Sequence, residues 1–268
     1  MKRTVLTISL ALVALIGFSQ SKTVAHRGYW QTEGSAQNSL TSLRLAAEEG
    51  CWGSEFDVWI TKDGVCVVHH DADINGVHIE SADFSEIRDF TLANGEKLPS
   101  LEQYLWEGCH YPDMKLVLEI KPHSTKAQED RCVDEVLRLV KKYNVVDNTD
   151  YISFSMNVCE RLVARGVDAL KGPNGQRSGK KIDAPEMHVA YLNGDVAPMD
   201  IKARGLTGID YEQSVFEKHP EWIAECHDLG LTVNVWTVND LNKIWNFIRQ
   251  GVDFITTNRP VESCKLCK

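Results

Sequence analysis

Basic residues are in short supply. Lys and Arg number 29 against 38 Asp and Glu, a formal net charge of −9 over 268 residues. That balance excludes a general nucleic-acid binder, which needs cations to neutralise phosphates. An anionic ligand would need local cations or a metal to overcome the global field. Long apolar runs are equally scarce: one extends from about Val5 to Phe18, and none suited to a membrane follows it. The eight cysteines (Cys51, Cys66, Cys109, Cys132, Cys159, Cys226, Cys264 and Cys267) show no repeated zinc spacing. Cys66 and Cys132 sit in apolar contexts that suit buried free thiols. The lone Cys264-x-x-Cys267 pair reads as a local disulfide or an ordinary tail. A glycine-rich dinucleotide turn is missing, which argues against an open doubly wound sheet. No composition break divides the chain, so one domain is expected.

Lys2 and Arg3 precede the single apolar run, and small and polar residues follow it. This pattern predicts a secretory signal peptide over residues 1–20, with the remaining domain over 21–268. At about 14 residues the run is short for a bilayer span, though an uncleaved anchor is the alternative. No cysteine near the cleavage site offers a lipid anchor. Without Lys2 and Arg3 the balance becomes 27 basic against 38 acidic residues, or −11. The expected location is periplasmic or extracellular, with no stable membrane insertion of the mature chain.

The stretch Ser54–Asp71 reads as two alternating strands joined at Asp63-Gly64, a type I′ hairpin dipeptide. A two-residue loop there would pair Asp57 with His70 and Val58 with His69. Alternation places Glu55 and Asp57 on one face and Phe56, Val58 and Ile60 on the other. Carboxylates beside an imidazole suit a metal site, whereas a solvated hairpin would simply turn its acids to water.

Strands are expected to start near residues 23, 54, 116, 151, 187, 206, 231 and 253, each followed by a helical pattern. Eight βα units predict a (β/α)8 TIM barrel with a β-hairpin excursion after the second strand. Ser100 and Gln103 form a capping-box pattern, and Leu241, Ile244, Trp245 and Ile248 mark an amphipathic helix capped by Asn239 or Asp240. One helix is expected over about 215–229. Residues 72–99 read as a polar excursion. Gly166–Glu186, with Lys171, Arg177, Lys180 and Lys181, reads as a solvated basic loop.

In such a barrel the strand C-termini converge on one rim. His26 and Arg27 end the first strand, with Gly28 expected to let backbone approach a ligand. Glu55 and Asp57 end the second, His70 returns beside them, and Glu119 and Lys121 end the third, where a buried structural ion pair is the plainer alternative. Glu55, Asp57 and Glu119 are hard oxygen ligands suited to Ca2+ or Mg2+. Arg27 and Lys121 would neutralise a phosphate, while His26 and His70 exchange protons with the attacking and leaving oxygens. The set describes hydrolysis of a phosphodiester.

These residues resemble the glycerophosphodiester phosphodiesterase family. The matching blocks are His26-Arg27-Gly28, the run from Glu55 to Gly64, His70-Asp71, LPSLEQYL from Leu98, LEIKP from Leu118, VWTVN from Val235, and the closing GVDFITTNRP. The resemblance implies a (β/α)8 barrel in which Glu55, Asp57 and Glu119 bind a divalent metal and His26 and His70 act as acid and base. It also implies release of glycerol 3-phosphate and an alcohol from a small-molecule glycerophosphodiester. Gln37-Asn38-Ser39 replaces the family's usual Glu-Asn-Thr, and the interval 72–99 implies a smaller cap than many members carry. Tyr29, Trp30, Tyr191 and Trp236 lie at or near strand ends and form a candidate apolar wall for substrate, or else rim packing. Two other readings stand beside this one. They are a phospholipase D-like or cyclising phosphodiesterase acting on lysophospholipids, and a non-catalytic barrel that binds a phosphorylated ligand.

Overall fold

Strand formation follows the apolar, β-branched runs of the sequence. In a computed structural model, which describes residues 20–169 and 187–268, eight such runs are parallel. They are β1 (Lys22–Ala25), β2 (Gly53–Ile60), β3 (Lys115–Ile120), β4 (Thr149–Ser153), β5 (Val189–Tyr191), β6 (Gly208–Glu212), β7 (Thr232–Trp236) and β8 (Phe254–Thr257). Each pairs with its neighbour in sequence order, and β1 pairs with both β2 and β8. The sheet therefore closes into the expected barrel. The expected signal peptide and nearly all of the basic loop at 166–186 lie outside the described residues.

Two apolar layers hold the barrel. Outward-facing Phe56, Val58, Ile60, Leu118 and Ile120 pack under the helices in the main core, while Val24, Val117, Ile152, Ala190 and Leu192 fill the interior. Trp52 and Phe254 stack 4.1 Å apart and line the far side of the interior with Asp150 and His188. That packing leaves the C-terminal rim as the open end.

Several helix ends match their sequence signals. Ser100 and Gln103 form the capping box of Leu101–Gly108, and the Asp240 side chain accepts from the backbone of Asn242 and Lys243. The helix expected over 215–229 is instead two, Gln213–Lys218 and Trp222–Asp228, with His219-Pro220 between them. Proline lacks the N–H that would continue the ladder, and its ring disfavours helical backbone before it. A further helix, Pro260–Leu266, closes the chain with proline in its first turn. Within it the thiol of Cys264 faces Cys51 at 3.8 Å, while Cys267 approaches Thr23 and Ser263. The two cysteines of the CxxC thus have different partners, and all eight are free thiols.

The hairpin register also differs from the expected one. Val58 pairs with Val68 and Ile60 with Cys66, so Asp57 lies opposite His69 rather than His70. The loop is the three residues 62–64, closed by Thr61 N–H to Val65 O at 2.9 Å. Gly64, at φ 94°, supplies the left-handed residue that such a loop requires. The Thr61 hydroxyl donates to Asp63 and accepts from Val65 N–H, which holds the wider loop.

The 72–99 excursion is less polar than its composition suggests. It forms the hairpin Asp73–Ile74/Val77–His78 across an Asn75-Gly76 turn and a short helix, Phe84–Ile87. Ile74, Ile79, Ala82, Ile87 and Leu98 bury against Trp59 and Val67 of the first hairpin. Buried Glu80 accepts from the backbone and hydroxyl of Ser124, tying this cap to the loop after β3.

Candidate active site

The register of β2 with β3 sets Asp57 beside Glu119, and alternation turns Glu55, Asp57 and Glu119 into the barrel. One oxygen from each lies within 4.8 Å of the others, and all three side chains are buried. Three carboxylates so close and so dry repel strongly unless countered. Lys121 Nζ stands 3.0 Å from Asp57 and 2.9 Å from Glu119, and Asn38 donates to Asp57 at 2.8 Å. Burial would raise Asp57, but Lys121, His70 and Arg27 hold it well below the usual carboxylate range. Glu55 goes the other way: burial, then the charges of Asp57 and Glu119, push it well above that range. Burial and Asp57 likewise push Glu119 up to about 7.

That imbalance leaves room for another cation. Glu55 Oε2 accepts from the Arg27 backbone at 2.8 Å, but its buried Oε1 has no hydrogen-bond partner. An orphaned carboxylate oxygen within an all-oxygen cluster fits a hard divalent ion such as Ca2+ or Mg2+.

His26 follows β1, and its Nδ1 lies 2.8 Å from Asn258 Oδ1. Because that amide oxygen only accepts, Nδ1 carries the proton and Nε2 keeps its lone pair. Burial, then Arg27, lowers the His26 pKa to about 4, so the ring is neutral at physiological pH. His70 takes a different position. Its Nδ1 pairs with Asp71 at 2.7 Å, and its carbonyl accepts from the Trp59 indole at 3.2 Å. Strand pairing stops at Val68, so the chain turns there and His70 reaches the cavity despite the shifted register. Burial lowers its pKa, against the opposing pull of Asp57 and Asp71.

Arg27 and Gly28 form the turn that aims this corner. Arg27 has φ 56°, a sparsely populated conformation, and Gly28 has φ 75°. A Cβ on Gly28 would lie 2.4 Å from Ser42 Oγ and 2.7 Å from Ser42 C. The glycine is thus needed for close approach to the helix Leu40–Glu48. The Arg27 guanidinium donates to Gln37 at 2.6 Å, so the residue replacing the family's acid positions this arginine.

A cavity of about 100 Å3 joins these groups: His26, Arg27, Glu55, His70, Glu119 and Lys121 line it. Trp236 completes one wall, with its indole donating to Asp210 O and its ring set edge-on to Phe154 at 5.5 Å. Trp30 stands outside this cavity, in an adjoining groove, and donates to Asn258 at 3.2 Å. Tyr29 and Tyr191 lie elsewhere, packed into the main core between barrel and helices. Sequence reasoning passed over Asn38, Phe154, Asp210 and Asn258. The strand-end position of Phe154 and Asn258 was the available signal. Asp210 is buried on the cavity floor, where burial and Glu119 hold its carboxyl well above the usual range.

The sequence profile of the glycerophosphoryl diester phosphodiesterase family matches residues 26–262. The chain belongs to that family. It is therefore a phosphoric diester hydrolase. A glycerophosphodiester phosphodiesterase from Parabacteroides distasonis superposes with a TM-score of 0.85 at 43% identity, covering 94% of this chain and 98% of that one. A glycerophosphodiester phosphodiesterase from Caldanaerobacter subterraneus is 26% identical over 254 residues, covering 88% of this chain and 93% of its own. An Oleispira antarctica phosphodiesterase, solved with its product sn-glycerol-3-phosphate, shares the fold at 22% identity and TM-score 0.70, covering 92% and 96% of the two chains.

Proposed function

We propose that the chain hydrolyses small-molecule glycerophosphodiesters to glycerol 3-phosphate and an alcohol, with His26 and His70 moving the protons. The observation that carries this reading is a cluster of three oxygen ligands, two of which, Glu55 and Glu119, line one cavity together with two differently held imidazoles. Glu55, Asp57 and Glu119 would hold a divalent cation, Ca2+ or Mg2+, which when bound supplies Lewis-acid polarisation of a phosphoryl oxygen. Arg27 and Lys121 add fixed positive charge beside the phosphate. His26 Nε2, left unprotonated by the Asn258 contact, accepts the proton of the attacking oxygen. His70, whose Nδ1–H is held by Asp71, acts from its imidazolium form and gives its Nε2 proton to the departing alcohol as the phosphorus–oxygen bond breaks. Trp236, Phe154 and Leu192 offer the glycerol carbons an apolar wall.

The test is release of glycerol 3-phosphate from choline, ethanolamine, inositol and glycerol diesters, with Ca2+, Mg2+ or EDTA. Metal-dependent turnover lost in His26→Ala and His70→Ala supports the assignment. Full activity in EDTA, or in either variant, overturns it.

Export belongs to the same proposal, on the strength of the pattern in residues 1–20. Among the described residues no helix is long and apolar enough to cross a membrane. Recovery of the native protein in the cytosolic fraction with residues 1–20 attached would count against export.

A further inference from the structure

Beside the catalytic cavity lies a second, larger concavity. It measures about 690 Å3 against about 100 Å3 for the inner one, and His70 lines both. The two halves of a diester need separate room, and only the outer space is large enough for a variable alcohol. Because His70 stands at the junction, the oxygen it protonates faces this groove.

The walls of the groove have a definite chemistry. One is Trp30, whose ring is fixed by its hydrogen bond to Asn258. The other is Phe90 of the cap, set edge-on to His69 at 5.7 Å. Glu33 and Asp71 are the carboxylates on its lining, and no lysine or arginine lines it. Asp71 is shared with His70, whereas Glu33 is exposed and has no ion-pair partner among the described residues. The groove is also built rather than open by accident. Glu96 of the cap accepts from the backbone of Leu40 and Thr41, and Asn94 reaches Gly34 O, pinning cap to rim.

Aromatic rings with nearby carboxylates are the chemistry that binds an organic ammonium group, and the cation behind the lining, Arg27, is already held by Gln37 and Asp57. Anionic alcohols meet repulsion from Glu33 and from the −9 charge of the chain. We propose that this groove is the leaving-alcohol subsite and that it selects amino alcohols, quaternary or primary, over neutral or anionic polyols. The inference rests on the diester-hydrolysis reading above and assigns the substrate class within it.

The experiment compares kcat/KM for glycerophosphocholine and glycerophosphoethanolamine with that for glycerophosphoglycerol and glycerophosphoinositol. The ammonium diesters are expected to lead by about fivefold or more, a size that cation–π and exposed charge contacts support. Glu33→Gln, Glu33→Lys and Phe90→Leu should each bring the choline-to-glycerol ratio toward one, with the lysine variant furthest. A wild-type ratio near one, or a ratio the variants leave alone, overturns the proposal while hydrolysis itself stands. If no diester turns over, the hydrolysis reading fails instead. Calorimetric binding of the choline and glycerol diesters to His70→Ala then decides the groove on its own. Equal affinity rejects it, and tighter choline binding that Glu33→Lys removes upholds it.

Discussion

Asn258 holds His26 by Nδ1 at 2.8 Å and, through the same amide oxygen, the Trp30 indole at 3.2 Å. One side chain thus fixes the tautomer of the proposed base and the wall of the adjoining groove. Asn258→Ala is expected to lower kcat about 10- to 100-fold, by freeing the ring to place its proton on the wrong nitrogen. Asn258→Asp has a signed consequence. The wild-type ring sits near pKa 4 through burial and Arg27, so neutral base persists to low pH. A carboxylate at 258 would favour the imidazolium and raise that pKa, moving the acid limb of kcat/KM upward. A limb unmoved by the aspartate, together with an unchanged His26 NMR titration, would refute the contact's role.

Metal affinity should rise with pH. Burial and mutual repulsion raise Glu55, and hold Glu119 near 7, so in the metal-free protein these groups carry protons that a cation must displace. Apparent Ca2+ or Mg2+ affinity, followed by calorimetry or by the metal-induced rise in Tm, is expected to strengthen from pH 5 through about 7 and to level only once both Glu119 and Glu55 have lost their protons. Proton release on binding should diminish over the same range. Glu55→Gln removes the oxygen that has no partner and should cost at least about 10-fold in affinity. Affinity that stays flat with pH would show that these carboxylates are not the ligands.

The barrel was legible because alternating and continuous apolar runs repeat at a spacing suited to βα units, and strand ends alone bring His26, Glu55, Asp57, Glu119 and Lys121 together. The hairpin register was not, because Asp63-Gly64 serves either a two-residue loop or a three-residue one. The choice depends on bonds made by the Thr61 hydroxyl. Asn258 was equally opaque, since its partner lies 232 positions away and asparagine near a strand end is also an ordinary turn residue. The groove draws its walls from residues 30–38 and 69–93, and only the pinning of cap to rim makes them one surface. Composition marked residues 72–99 as polar because their small apolar set buries against the first hairpin rather than within the segment.

Gly28→Ala tests the turn that aims Arg27. The substitution combines φ 75° with contacts at 2.4–2.7 Å to Ser42, including its backbone carbon, so the helix Leu40–Glu48 cannot simply yield. A loss of about 2–4 kcal/mol is expected in urea unfolding, with kcat falling as well because Arg27 N–H leaves Glu55. Gly34→Ala shares the positive φ but meets no neighbouring atom, so it isolates the backbone cost at about 1 kcal/mol. Equal losses at both positions would show that the approach to Ser42 is not the cause.

Cys51 and Cys264 form a pair that the proposed export makes relevant. Their sulfurs are 3.8 Å apart and both thiols are buried, whereas Cys267 turns toward Thr23 and Ser263. An oxidising compartment supplies a disulfide donor, and exchange with it would join the two sulfurs, reduce the donor to two thiols and release no other product. Protein recovered from such a compartment should therefore show six free thiols after denaturation, against eight after reduction. The bond would tie the last helix to the start of β2 across 213 positions, a loop long enough for about 5 kcal/mol in the chain-entropy account. Cys51→Ser should remove that gain and Cys267→Ser should leave it. Peptide mapping that finds Cys264 joined to Cys267 instead would mean that the last turn of Pro260–Leu266 opens to let them meet, contrary to the packing seen here.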